Sequence, residues 1–312
     1  MKVIIISGPT ASGKTKVSIE VALKFNAEIV NFDSLLLYKE ISIGTAKPTP
    51  HEQQGIVHHM IDVASISNPL NASSYASLAL PIVNDILARG KNVILTGGSG
   101  FYLQALLKGM YDSPTTPPEI TKRSEELYLS YGISPFLEIL KISDIESFKR
   151  YHENDHYRIR RAVEHYWTHG TPLSMVRQSK DSENQNLDTG NIHGWKLLHI
   201  YLNLPRDDHF EIIQKRTSLM LQDGLLDEVR SLLNSGFTGM EKPLQSIGYI
   251  ESLEYIRGEI SSVEDLIERI NISTRQLAKS QRTWFNRDKE KFEFHPLSQR
   301  QEIFEKVSEF LE

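Results

Sequence analysis

The apolar positions of this chain change period along its length, and those changes divide it. Val3 to Ile6 form an unbroken β-branched run, the pattern of a strand buried on both faces. Behind it, KVSIEVALKF sets Val17, Val21, Ala22 and Phe25 on one face of a helix. Ala27 to Phe32 give a second short strand. A helix follows in SSYASLALPIVNDILARG, capped near Ser73 or Ser74 and stopped by Gly90, and Val93 to Thr96 give another buried strand. Strand-then-helix units in succession predict a parallel sheet covered by helices.

From Glu119 to about Thr168 the period is helical with no strong strand signal, and Gly170 to Pro172 end it. DSPTTPP at 112–118 reads as a hinge, and the polar stretch 179–194 as a loop. A sheet pattern returns at 195–204. These shifts predict a helical insertion at 117–193 between two halves of one core, 1–116 and 194–312. The remainder reads as helical. Ile212, Arg216 and Met220 share one stripe, LLDEVRSLLNSG closes at Gly236, and Ser262 caps a long helix in which Leu266, Ile270 and Leu277 recur. The fold class is therefore α/β: a parallel sheet flanked by helices, with an inserted all-helical subdomain and a helical C-terminal region.

Composition adds exclusions. The chain has 312 residues, 39% of them hydrophobic and 24% charged, which is ordinary for a globular protein that avoids membranes. Without cysteine, disulfides and thiolate zinc sites are ruled out. No apolar run reaches the length of a membrane span and no basic-then-apolar leader precedes the first strand, so the expected compartment is the cytoplasm.

The chemistry begins where the first strand ends. GPTASGKT, residues Gly8, Pro9, Thr10, Ala11, Ser12, Gly13, Lys14 and Thr15, fits G-x-x-x-x-G-K-[ST] between a strand and a helix. Such a P-loop turns its N–H groups inward, adds the helix N-terminus and a lysine, and makes a socket for a di- or triphosphate. The Thr15 hydroxyl would face a bridging Mg2+. Asp33 follows the second strand, where an open parallel sheet meets its ligands; it is either a ligand-facing carboxylate or a solvated turn aspartate. Gly97, Gly98 and Gly100 give a second close backbone approach at the same sheet edge. His58 and His59 are adjacent and lack a further ligand at useful spacing, so they read as structural.

Two segments concentrate base in a chain of net charge −5. KRYHENDHYRIRR holds five Lys/Arg against two acids with tyrosines between, and RQLAKSQRTWFNRDKEK holds six against two with Trp284 and Phe285 between. Each alone fits a solvated face; together they look more like a nucleic-acid track.

GPTASGKT, DSLLLYKEISIGTAKPT, HHMID, GGSGFYLQALLKG, HENDHYRIRRAVE, QSIGY and TRQLAKSQRTWF fall in the order of one family. From about residue 3 to 287 the chain resembles the tRNA dimethylallyltransferases, the IPP transferase family. The resemblance implies transfer of a dimethylallyl group from its diphosphate to N6 of adenosine 37 beside the anticodon, by an enzyme that needs Mg2+. Lys14, Thr15 and Arg216 would stabilise the departing diphosphate and Asp33 would act as base. Ser34, Leu35 and Leu36 would line the adenine position, and Ser99 would contact nucleotide or diphosphate. Tyr157, Arg158, Ile159, Arg160 and Arg161 on one side, and Gln245, Ser246, Ile247, Gly248, Tyr249 and Ile250 on the other, would grip the anticodon stem-loop of a tRNA, the protein acting as a monomer. Departures from the family pattern are Ser99 for threonine, Leu36 and Leu37 for Gln-Val, and Ile212 and Thr121 for arginine.

Three rivals share the phosphate loop: a small kinase, an isopentenyltransferase acting on free adenine nucleotides, and a nucleotide-gated RNA-binding module. A kinase needs an arginine-bearing lid, for which 117–193 is long. Free nucleotides leave QSIGY and the two basic clusters without a purpose, and a binding module leaves Asp33 and the second glycine turn unexplained.

Overall fold

The computed structural model describes residues 1–109, 116–177 and 191–312. The chain forms two compact units, Met1–Leu107 with His193–Glu312, and Lys108–Ile192. The insertion expected from the sequence is thus a unit of its own, but its start moves from the proline-rich stretch back to the end of a helix. Residues 112–115 of the expected hinge and 179–190 of the expected loop lie outside the described residues.

In the first unit, strands β1 (Lys2–Ser7), β2 (Ala27–Asn31), β3 (His58–His59), β4 (Asn92–Gly97), β5 (Lys196–Leu202) and β6 (Phe292–Phe294) form one sheet in the order β3-β2-β4-β1-β5-β6, all pairs parallel. The β-branched run makes β1 central because it satisfies both faces. Val3 and Ile5 enter the cluster containing Tyr75, Val83 and Ile86, whereas Ile4 and Ile6 enter the one containing Val17, Val21, Ile303 and Val307. Each buried side chain of this kind contributes about 1.5–3 kcal/mol.

Helices α1 (Lys14–Lys24), α2 (Ala72–Ala88) and α3 (Gly100–Lys108) alternate with the strands as expected. Asn71, two and three residues before the two serines, caps α2: its side chain accepts from the Ser74 N–H at 2.8 Å. The C-terminal region is helical as expected, with one short strand added. After α8 (Arg206–Gln222), α9 (Leu225–Asn234), α10 (Tyr249–Ile256) and α11 (Val263–Phe285), the chain adds strand β6 and then a last helix, Arg300–Leu311. Three residues are too few to show alternation, so β6 left no signal. The two-residue β3 is silent for the same reason. His59 there donates to the buried carboxylate of Glu28, which Arg89 and Lys91 also hold; chiefly the Arg89 hydrogen bonds keep that carboxyl far below the usual range. The histidine pair is structural.

The second unit packs α4 (Pro118–Tyr131), α5 (Ser134–Ser143), α6 (Ile145–Arg150) and α7 (His156–His169) around Phe136, Leu140, Ile159, Ala162 and Val163. Gly170 ends α7 in the left-handed conformation, φ 68°.

Candidate active site

The phosphate loop leaves β1 at its carboxyl end and enters α1 through Gly13, whose φ of 78° suits glycine. A Cβ at Gly8 would come within 2.6 Å of the Leu202 carbonyl, so β5 can lie against the loop only because Gly8 has none. Thr10 is held through every polar atom. Its N–H donates to Gln281 Oε1 at 2.7 Å, its carbonyl accepts from His209 Nε2 at 2.7 Å, and Arg216 donates to its hydroxyl at 3.3 Å. A carbonyl can only accept, so His209 carries its proton on Nε2, and its Nδ1 accepts from Arg282 at 2.6 Å. Burial, with Arg282 and Lys14 nearby, lowers the His209 pKa and favours this neutral ring.

Arg216, from α8, is the hinge of the site. Its guanidinium also donates to the Thr45 carbonyl at 3.3 Å, and its side chain lines two cavities. One, of about 340 Å³, is walled by Ala11 to Lys16 of the phosphate loop and α1 with Ile212, Leu204 and Leu297. The other, of about 350 Å³, is walled by Thr10, Asp33, Ser34, Leu35, Ser99, Gln281 and apolar Ile213, Met220, Ile270 and Leu277. Lys14 donates to the Pro9 carbonyl at 2.8 Å; burial lowers its pKa to about 8, Asp33 pulling the other way and Arg216 adding to the fall. Burial lowers the Arg216 pKa too, again against Asp33. Two desolvated cations and one carboxylate therefore feel one another.

Asp33 is fixed by its own turn. Its N–H donates to Asn31 Oδ1 at 2.9 Å, and its Oδ1 accepts from the Leu35 N–H at 3.1 Å. The second glycine turn closes on it: a Cβ at Gly97 would come within 2.8 Å of the Asp33 nitrogen, one at Gly98 would strike the Gln281 amide, and one at Gly100 the Trp284 indole. Ser99 follows from the same turn, accepting from the Ser34 N–H at 3.1 Å and donating to the Ser34 hydroxyl at 3.2 Å.

The profile described as IPP transferase matches residues 36–288. The chain belongs to the IPP transferase family. It is 39% identical over 288 residues to a tRNA dimethylallyltransferase 2 of Geotalea uraniireducens, covering 92% of this chain and 90% of that one. Among solved structures, the tRNA delta(2)-isopentenylpyrophosphate transferase of Staphylococcus epidermidis is 34% identical with a TM-score of 0.68, covering 100% of this chain and 99% of that one. A eukaryotic dimethylallyltransferase captured acting on tRNA is 30% identical with a TM-score of 0.76, covering 96% and 75%.

For this IPP transferase, the structure brings Lys14, Thr15, Asp33, Ser34, Leu35, Ser99, Arg216 and Gln245 to Gly248 to the walls of the two cavities. It does not bring all the expected residues. Leu36 and Ile250 are half-buried outside the cavity walls. Tyr249 is withdrawn from tRNA contact: it is wholly buried and its hydroxyl donates to Glu228. Ile159 is withdrawn as well, since it lies in the core of the helical unit. Around it, Tyr157 and Arg158 are exposed, but Arg160 is tied to Glu125 and stacked on Tyr128, and Arg161 is bound to Glu164 and Thr116. Sequence reasoning missed Thr45, Gln281 and His209 as parts of the site. IGTAKPT and RQLAKSQRTWF carried the signal for the first two; a lone histidine in α8 carried none.

Proposed function

We propose that this protein transfers the dimethylallyl group of dimethylallyl diphosphate to N6 of adenosine 37 in tRNA. The observation that carries the proposal is the place of Arg216, one half-buried guanidinium shared by the wall of a phosphate-loop cavity and the wall of a cavity holding a carboxylate. Adenine N6 is a weak nucleophile, because its lone pair is delocalised into the ring. The allylic C1–O bond breaks readily once charge on the leaving diphosphate is met. Loop N–H groups, Lys14 and Arg216 meet that charge without reorganising. The C1–O electron pair leaves on diphosphate, the N6–C1 bond forms, and Asp33 accepts the N6 proton. Adenosine 37 must leave the anticodon stack to reach Asp33.

Thr15 lines the phosphate-loop cavity with an exposed side chain. A single hydroxyl beside a phosphate socket fits Mg2+, which keeps waters and takes phosphate oxygens rather than an all-protein cage. When bound, the ion would add charge neutralisation at the diphosphate. No helix among the described residues is long and apolar enough to cross a membrane.

The test is to incubate the protein with dimethylallyl diphosphate, Mg2+ and unmodified tRNA, offering AMP and ATP as alternative acceptors. A gain of one C5H8 unit on adenosine 37 is expected. Prenylation of AMP or ATP alone would install the free-nucleotide reading, and phosphoryl transfer from ATP the kinase reading.

A further inference from the structure

The loop that delivers Thr45 to Arg216 is built around an anion. Successive backbone N–H groups of one turn converge as anion-binding nests do. Here the anion is the protein's own. Glu228 of α9 accepts from Ser42 N–H at 2.8 Å and Ile43 N–H at 2.9 Å on Oε2, and from Gly44 N–H at 3.3 Å on Oε1. A fourth donor, the Tyr249 hydroxyl, reaches Oε1 at 2.6 Å. Burial, with Glu228 beside it, holds that phenol protonated and able to donate. The packing tolerates no side chain at position 44, since a Cβ there would lie 2.5 Å from the Tyr249 ring. The next residue is Thr45, whose carbonyl accepts from Arg216 at 3.3 Å and whose hydroxyl donates back to Ser42 at 2.9 Å. IGTAKPT and QSIGY, far apart in sequence, are joined through this one carboxylate.

We infer that Glu228 is a positioning residue for the reaction: it fixes the turn 42–44 so that the Thr45 carbonyl aims Arg216 at the diphosphate, although Glu228 itself lines neither cavity. The inference rests on the diphosphate reading of the Arg216 cleft. Four donors converge on a charged acceptor, and an amide cannot satisfy all of them. Glutamine matches the shape of glutamate but offers one oxygen, and whichever way the amide turns, its NH2 meets at least one backbone N–H that also donates. The turn should open, and Arg216 should lose its aim while the sheet and α8 remain.

The experiment is a double-mutant cycle on Glu228→Gln and Arg216→Ala, reading Mg2+-pyrophosphate affinity by calorimetry and kcat with dimethylallyl diphosphate and tRNA. Glu228→Gln should weaken pyrophosphate about tenfold and lower kcat by about 10- to 100-fold while leaving tRNA affinity unchanged. Added to Arg216→Ala, it should cost less than about twofold more, because the group it positions is gone. Tyr249→Phe, which removes a single donor, should show a smaller loss and the same lack of effect beside Arg216→Ala; it decides the matter if Glu228→Gln does not fold. Losses that multiply in the double variant, wild-type pyrophosphate affinity and kcat in Glu228→Gln, or a defect confined to tRNA affinity would each overturn the inference. If the pyrophosphate cycle behaves as expected and tRNA is still not prenylated, the proposed activity fails and the role of Glu228 stands.

Discussion

Two cations and one carboxylate share a desolvated cleft, and burial works against both cations. On the proposed reading, an incoming diphosphate would replace the water that Lys14 and Arg216 lack. With its pKa lowered to about 8, Lys14 loses its charge as pH rises through that value, and a bound anion must restore the proton. Pyrophosphate affinity should therefore be level below about pH 7, fall as pH passes 8, and come with proton uptake, measured as a dependence of calorimetric heat on the buffer's ionisation enthalpy. Affinity that rises above pH 8 would contradict the sign. Asp33→Ala should leave tRNA binding nearly intact and reduce turnover by about two to four orders of magnitude; an unimpaired single-turnover rate removes Asp33 from the chemistry. The phosphate loop, Asp33 and Arg216 were legible in sequence because motif, strand end and helical stripe each place a charged side chain. Tyr249 and Ile159 were misjudged because a motif shows which residues recur together and not which way they face. His209 was invisible, since its partners, Thr10 and Arg282, are remote in sequence.

The elements were readable in proportion to their length. Strands β1, β2, β4 and β5 declared themselves by apolar runs, and the long α11 by its Ser262 cap, whose side chain accepts from the Asp265 N–H at 3.1 Å. β3 and β6 are made by their neighbours' open hydrogen-bonding edges, information that no window of three residues contains. Helix α11 serves two surfaces: Gln281 turns inward to Thr10 and Gly98, while Trp284 lies 4.9 Å under Arg287, which follows the helix, with Phe101 edge-on to the indole. In α7 the division of faces gives a test. Ile159→Ala should destabilise the helical unit by about 2–5 kcal/mol, seen as a lower denaturant midpoint for that unit. Unchanged stability with weakened tRNA binding would return Ile159 to the RNA surface.

Across the whole molecule, a net charge of −5 with locally segregated base implies binding through patches rather than a general field. The arginines of the first basic segment are not equally free. Arg160 and Arg161 are half-buried against Glu125 and Glu164, whereas Arg158, bonded to its cap residue Asp155, is largely exposed. Arg158→Ala should weaken tRNA binding across sequences and reduce the slope of log affinity against log salt by about one; an unchanged slope makes Arg158 a solvated face. The division into core and insertion was legible because the period of the apolar pattern changes twice. The boundary was displaced because proline-rich composition marks where a chain can bend, and the last contacts of the core end earlier, with α3.

The central strand has a consequence for how the protein is made. β1 pairs with β4 on one edge and β5 on the other, and Ser7 meets Tyr201 across that second edge. At ribosomal rates of about 5–20 residues per second, roughly 10 to 40 seconds separate synthesis of the two. Through that interval a β-branched edge waits without its neighbour, while the entire helical unit emerges and can close on its own core. The nascent N-terminal half is therefore the stage at which chaperones have most to shield.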